Sequence, residues 1–156
     1  MSPTSVALTA EPARAPIELR TRFGEMTVDP DTVLRLPRGL MGFANLHEYA
    51  LATLPEERYG RFKVLQSIEA PDVSFIVLPY DASDALIADA DLGAAYETLS
   101  VAPNEGATLL IVSVRKVGEK PIISVNLRAP VVIDLKRRTA WQHVLANPEY
   151  SVRHTL

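Results

Sequence analysis

The chain has 156 residues, a formal net charge of −3 and no cysteine. A single domain of this length can bury about 70% of its unfolded surface, so it needs no covalent staples. The absence of cysteine excludes a disulfide framework, a thiolate metal site and a cysteine nucleophile, and it fits a reducing compartment.

Residues 1–16 predict a disordered tail in front of a single domain over 17–156. They contain three prolines among Ala, Ser and Thr, without apolar periodicity. They also lack the basic start and apolar stretch of a signal peptide. The longest apolar runs of the chain, such as 108–114, are far shorter than the ~18 residues of a membrane span. We therefore expect a cytoplasmic protein with no membrane partner.

The first part of the domain predicts short strands. Polar and apolar residues alternate over 18–23, and the turn residues 24–25 lead into a second strand over 26–28, which together predict a hairpin. A third strand is expected over 32–36. Next, the stretch 36–43 contains two glycines and a proline, which predict a loop with special backbone angles.

The rest of the chain predicts more strands, with one interruption. Residues 81–99 are rich in Ala, Asp and Leu, so we expect two short helices there, the second near 91–99 and capped by Asp89 or Asp91. Short strands with Gly and Pro turns predict a mostly β fold, a small antiparallel β-barrel or sandwich with one or two short helices. The later strands are expected over 49–54, 62–68, 73–78, 108–117, 122–127, 131–135 and 139–145.

Charge is distributed unevenly along the chain. Residues 64–114 carry eight carboxylates and no Lys or Arg, whereas residues 115–156 carry eight basic and three acidic side chains. Phosphates require cations, so the acidic middle is a poor surface for nucleic acid. It either steers a basic protein partner or forms a solvated face that only keeps the protein soluble.

Motifs for catalysis or cofactor binding do not occur in the sequence. The three histidines are too far apart for a helical metal site, and the seven glycines are too scattered for a phosphate-binding loop. Neither a Gly-x-Ser-x-Gly nor a Ser-x-x-Lys motif is present. The carboxylate pairs Asp81–Asp84 and Asp89–Asp91 lie in a segment that we expect to be exposed, whereas acid–base catalysis requires a desolvated carboxyl group. We expect no enzyme activity, no metal and no cofactor.

Five sequence blocks, in order, resemble the FliW family of flagellar assembly factors. They are TRFGE, LPRGLMGF, FKVLQSIEAPD, SVNLRAPVVID and YSVRH, within residues 18–156. The chain departs from the family's usual residues at Arg38, Met41, Asp134 and Thr155. The resemblance implies a protein that binds cytoplasmic flagellin and the RNA-binding regulator CsrA. It also implies non-competitive antagonism of CsrA, which relieves repression of flagellin translation when flagellin is exported. Such a protein acts by partner switching, and we expect it to be a monomer.

Two sets of residues are candidates for partner binding. Because CsrA must bind RNA and should be basic, an acidic face would accelerate its encounter with this protein. Unassembled flagellin termini are apolar, so they require an apolar groove or an open strand edge. The apolar candidates are Leu40, Met41 and Phe43 in the 36–43 loop, together with the region of Trp141. The acidic candidates are Asp72, Asp81, Asp84, Asp89, Asp91 and Glu97.

Two other functions compete with this hypothesis. The first is a split-barrel protein that holds a flavin or another small ligand, which requires a deep pocket with convergent polar groups. The second is a small β-barrel that binds RNA directly through the basic turn at 136–138 with Arg128 and Trp141. The acidic middle of the chain argues against RNA, and a basic turn also serves to blunt a sheet edge.

Overall fold

The computed structural model describes residues 15–54 and 60–156. The predicted tail therefore lies, apart from its last two residues, outside the described residues. The domain begins with the hairpin of β1 (Ile17–Thr21) and β2 (Gly24–Val28), paired antiparallel. The turn was expected at residues 24–25, but it is formed by Arg22 and Phe23, because Gly24 already pairs with Thr21 as the first residue of β2. Gly24 adopts a φ of 103°, which glycine accommodates without strain. The Arg22 guanidinium donates to the carbonyl of Ser74 at 2.8 Å, which ties this hairpin to the main sheet.

The main sheet is a nine-stranded sheet that closes on itself into a barrel. In sheet order it runs β11, β8, β7, β6, β5, β4, β3, β10 and β9, and β9 pairs again with β7. The predicted β-rich fold is therefore confirmed. One pair differs from the expected antiparallel pattern, since β3 and β10 run parallel through Arg35 and Thr139. The strands are β3 Leu34–Arg35, β4 Glu48–Thr53, β5 Lys63–Ser67, β6 Ser74–Tyr80, β7 Gly106–Val117, β8 Lys120–Val125, β9 Val131–Asp134, β10 Thr139–Gln142 and β11 His154–Thr155.

The long strand β7 closes the barrel. Its first half pairs with β6 on one side and β9 on the other, whereas its second half, from Val112 to Val117, pairs with β8. Between β8 and β9 the chain bends, and the Asn126 side chain stabilises that bend by accepting a hydrogen bond from the Ala129 N–H at 3.0 Å. The β7–β8 hairpin thus extends past the barrel, with Val114 and Val117 exposed.

Helix α1 (Asp89–Thr98) lies outside the barrel. A 3₁₀ turn at Ala82–Asp84 precedes it, so the two short helices expected in this region are one 3₁₀ and one α-helix. The expected cap was wrong: the N-cap is Ala88, and no side chain of the segment caps the helix. Instead the Tyr150 hydroxyl accepts the Ala88 N–H at 2.9 Å. A backbone N–H at the start of α1 is therefore satisfied by Tyr150, a residue far along the chain, and not by Asp89 or Asp91.

The core has an inner and an outer part. The barrel interior is filled with side chains such as Leu36, Tyr49, Leu65 and Val131, all fully buried. Outside the barrel, α1 and the loops beside it cover β6 to β10, so β9 is covered on both faces and all four of its residues are buried. The barrel interior is thus a packed core.

Candidate partner-binding surfaces

The carboxylates of Asp81 and Asp84 form a capping box at the 3₁₀ turn. Asp81 Oδ1 accepts the Ser83 N–H at 3.1 Å, and Asp84 Oδ2 accepts the Asp81 N–H at 2.9 Å. Both residues are exposed. Each carboxylate therefore fixes the local backbone through one oxygen and presents negative charge to solvent with the other.

The three acidic candidates on helix α1 have different surroundings. Asp89 and Glu97 are exposed, whereas Asp91 is half-buried and accepts a hydrogen bond from the Tyr150 hydroxyl. This bond to the Asp91 carboxylate is the main cause of a raised pKa at Tyr150. Asp91 is thus used to hold the C-terminal segment on the helix, while Asp89 and Glu97 face solvent.

A groove of about 630 Å³ runs between α1 and the edge of the barrel. Helix residues form one wall, and the end of β6 with the start of β7 forms the other. Two of the acidic candidates, Asp81 and Asp89, lie on opposite walls, so the fold brings together carboxylates eight positions apart in sequence. The groove is lined by Pro79, Tyr80, Asp81, Ala82, Asp89, Leu92, Gly93, Tyr96, Pro103, Gly106, Ala107 and Thr108.

Asp72 does not share this surface. It lies in the turn before β6, whereas Asp81 follows the end of that strand. Seven residues of extended strand separate the two by roughly 20 Å. The predicted acidic set is therefore divided: five carboxylates lie on or near α1, and Asp72 lies at the other end of the barrel.

The carboxylate of Glu69, near Asp72, has a structural role that sequence reasoning missed. Its Oε1 accepts the backbone N–H groups of His47 and Glu48, the latter at 2.8 Å. These two bonds, that from Glu48 first, lower the pKa of Glu69 below its ordinary value of 4.5. The His47 Nδ1 lies 3.0 Å from the Leu36 carbonyl oxygen, so this cluster fixes the loop that precedes β4.

The three apolar candidates of the 36–43 loop differ in their exposure to solvent. Leu40 is 3% exposed and belongs to the barrel core, so it is not accessible to a partner. Phe43 is half-buried and stacks edge-on against Phe75, with ring centroids 5.3 Å apart. Met41 alone projects, with 53% of its surface exposed. Its N–H donates to Gln142 Oε1 at 2.9 Å, which places the loop tip beside the strand that carries Trp141. Trp141 itself packs beneath α1.

The basic turn is partly neutralised, because Lys136 lies 3.8 Å from Glu105 and Arg137 lies 3.8 Å from Asp134. Within residues 15–54 and 60–156, no three His, Asp or Glu side chains converge on a point that could hold a metal ion. No helix in the same ranges is long and apolar enough to cross a membrane.

The chain is similar to known proteins in both sequence and fold. The model of the family described as FliW protein matches residues 18–156. Relatives named flagellar assembly factor FliW include one from Geobacter sulfurreducens, 31% identical over 86% of this chain and 82% of its own length. Another, from Leptospira interrogans serovar copenhageni, is 33% identical over 90% of this chain and 93% of its own.

A solved structure supports the fold independently of sequence. The crystal structure of a flagellar assembly factor FliW superposes with a TM-score of 0.71, covering 88% of this chain and 95% of the other, at 23% identity. At that identity the likeness concerns the fold alone. This fold likeness and the family match over residues 18–156 both agree with the five ordered blocks of the sequence. The chain belongs to the FliW family.

Proposed function

We propose that this protein is a cytoplasmic flagellar assembly factor that binds flagellin and, alternatively, the translational regulator CsrA. The observation that carries the proposal is the family match over residues 18–156, with relatives named flagellar assembly factors. Binding of CsrA relieves its repression of flagellin translation, and export of flagellin frees the factor to bind CsrA. The protein acts by exchanging partners and not by catalysis.

The charge distribution supports a basic partner at the α1 side. Residues 64–114 carry eight carboxylates and no Lys or Arg, and Asp81, Asp84, Asp89 and Glu97 are exposed there. A field of one sign accelerates the encounter with a protein of the opposite sign and makes its rate depend on salt. Because CsrA must neutralise RNA phosphates, it is the partner that this surface suits.

The exposed tip of the 36–43 loop supports an apolar partner elsewhere on the molecule. Met41 projects beside Gln142, and Phe43 lies partly open behind it. We assign the flagellin contact to this tip, with Leu40 as its anchor in the core. Competition between the two partners then arises either from steric overlap of the bound proteins or from coupling through the barrel.

The test is a pull-down from the native cytoplasm, followed by binding to purified flagellin and CsrA. Recovery of both partners supports the proposal, and recovery of neither contradicts it. A second measurement concerns the mechanism. If antagonism is non-competitive, RNA weakens the affinity of CsrA for this protein by the same factor as this protein weakens its affinity for RNA. Simple competition instead abolishes the ternary complex at saturating RNA.

A further inference from the structure

We infer that the groove beside helix α1 receives a Lys- or Arg-bearing segment of the basic partner, with the cation held between Asp81 and Asp89. The inference rests on the proposed function, since it specifies how the acidic surface recognises that partner. The proposed function requires only long-range electrostatic attraction between the acidic surface and the basic partner. The inference adds a defined pocket in which one basic side chain makes a contact of fixed geometry.

The chemistry of the groove fits an aliphatic chain that ends in a cation. Leu92, Tyr96, Ala107 and two prolines supply the apolar lining, while carboxylates lie on both walls. Long basic side chains bury their methylene stems on apolar surface and place the charged head at its rim. Neither Asp81 nor Asp89 takes part in the ion pairs found among the described residues. Asp81 accepts the Ser83 N–H through Oδ1, and both carboxylates are exposed to solvent at the groove.

The two glycines of the groove supply an independent observation. A methyl group at Gly106 would lie 2.5 Å from Tyr96 Cε2 and 2.8 Å from Val101 Cγ1, so internal packing explains that glycine. A methyl group at Gly93 would meet nothing within 4 Å. Glycine in the middle of a helix costs about 1 kcal/mol relative to alanine. Gly93 therefore weakens α1 without any packing reason within the described residues, and it leaves open space where a partner's backbone can approach.

The groove is preformed. The Tyr96 hydroxyl lies 2.8 Å from Thr108 Oγ1 across the floor, and Tyr150 holds the start of α1 through Ala88 and Asp91. The capping box at Asp81 and Asp84 fixes the other wall. A rigid site loses little conformational entropy on binding, so a short segment suffices for a specific contact.

The experiment fills the groove without disturbing the fold. Gly93→Gln adds a good helix former whose side chain occupies the groove, and Ala94→Gln places the same side chain on the adjacent exposed position outside it. Binding of purified CsrA is measured by titration calorimetry, and folding by thermal unfolding. We expect Gly93→Gln to weaken binding at least tenfold with an undiminished melting temperature, and Ala94→Gln to stay within twofold of the original chain. Equal binding by the two variants overturns the inference.

A second probe separates this inference from the proposed function. If the original chain does not bind CsrA, the CsrA part of the proposed function fails, and the groove is then tested with the peptide acetyl-Leu-Arg-Leu-amide at millimolar concentration. In ¹⁵N–¹H spectra, a saturable shift of the Gly93 amide in the original chain, lost in Asp89→Asn but retained in Asp72→Asn, supports a cation-selective groove. An unshifted Gly93 amide, or an equal effect of both substitutions, overturns it.

Discussion

The hydroxyl of Tyr96 on helix α1 lies 2.8 Å from Thr108 Oγ1 on strand β7. This single buried hydrogen bond joins the only α-helix within residues 15–54 and 60–156 to the strand that closes the barrel. It also forms the floor of the acidic groove. This hydrogen bond therefore adds to the apolar packing that holds α1 on the barrel.

Removing the Tyr96 hydroxyl is expected to destabilise the protein. Tyr96→Phe leaves the buried Thr108 hydroxyl without its partner, which costs about 1–2 kcal/mol of unfolding free energy. The matched substitution Tyr49→Phe should have the opposite or no effect, because the Tyr49 hydroxyl is buried and has no hydrogen-bond partner among the described residues. Burial, with a smaller contribution from Glu69, raises the pKa of Tyr49 to about 12. Urea unfolding of both variants measures the difference, and equal losses would contradict the role of the Tyr96–Thr108 bond.

The two groove glycines should respond oppositely to alanine. Gly106→Ala forces the new methyl group against the Tyr96 ring and should cost about 1–3 kcal/mol of stability, as overpacking does. Gly93→Ala meets open space and should add about 0.5–1 kcal/mol through the helix propensity of alanine. Thermal unfolding followed by circular dichroism distinguishes the two directions. A stabilised Gly106→Ala would show that the helix can move away from β7.

Charge reversal on α1 is expected to slow the association with CsrA. Asp89→Lys combined with Glu97→Lys removes part of the attractive field at two exposed positions. The association rate at low salt should fall about tenfold, and its dependence on ionic strength should flatten. Stopped-flow or surface-based kinetics at several salt concentrations provide the measurement. Asp72→Lys, at the other end of β6, serves as the control and should have a smaller effect. An unchanged rate and salt slope in the double variant would indicate that the acidic face only maintains solubility.

The Glu69 carboxylate should give the stability a defined pH dependence. Its folded-state pKa lies below 4.5 because the anion accepts two backbone N–H groups. Its stabilising contribution is therefore complete above pH 4.5 and is lost as the pH falls through the lower, folded-state value. Glu69→Gln should destabilise the protein near pH 7 by under about 1 kcal/mol, since solvent screens an exposed carboxylate. The difference from the original chain should vanish at low pH. Unfolding curves at several pH values test this, and a pH-independent difference would contradict it.

The tip of the 36–43 loop should affect flagellin binding without affecting folding. Met41→Glu places a charge on an exposed side chain and should weaken flagellin binding about tenfold, with a stability change within about 0.5 kcal/mol. Leu40→Ala, one residue away, should instead lower stability by about 2–5 kcal/mol because Leu40 is in the core. Affinity and unfolding measurements on both variants separate binding from packing. If Met41→Glu binds flagellin normally, the contact lies elsewhere.

Local sequence patterns predicted most of the strands and the helical segment. Alternation and turn residues predicted, within a few positions, the ten strands from β1 to β10. The family could also be identified from the sequence, because the five blocks that carry the resemblance are continuous sequence segments and do not depend on the tertiary structure. The predicted cap of α1 was wrong because the actual partner is not local in sequence. The Ala88 N–H at the start of the helix donates to the hydroxyl of Tyr150, which lies 62 positions further along the chain.

The sequence by itself determined the β-rich class, the family and the excess of carboxylates between residues 64 and 114. Only the tertiary structure decided which of those carboxylates meet. Closure of the barrel depends on pairs such as Arg35 with Thr139, whose register is set by burial and not by any local signal. In the folded chain Leu40 is buried and Met41 is exposed, strand β6 separates Asp72 from Asp81, and Asp81 and Asp89 line one groove. Charge is a property of composition, but a binding groove exists only where distant segments pack side by side.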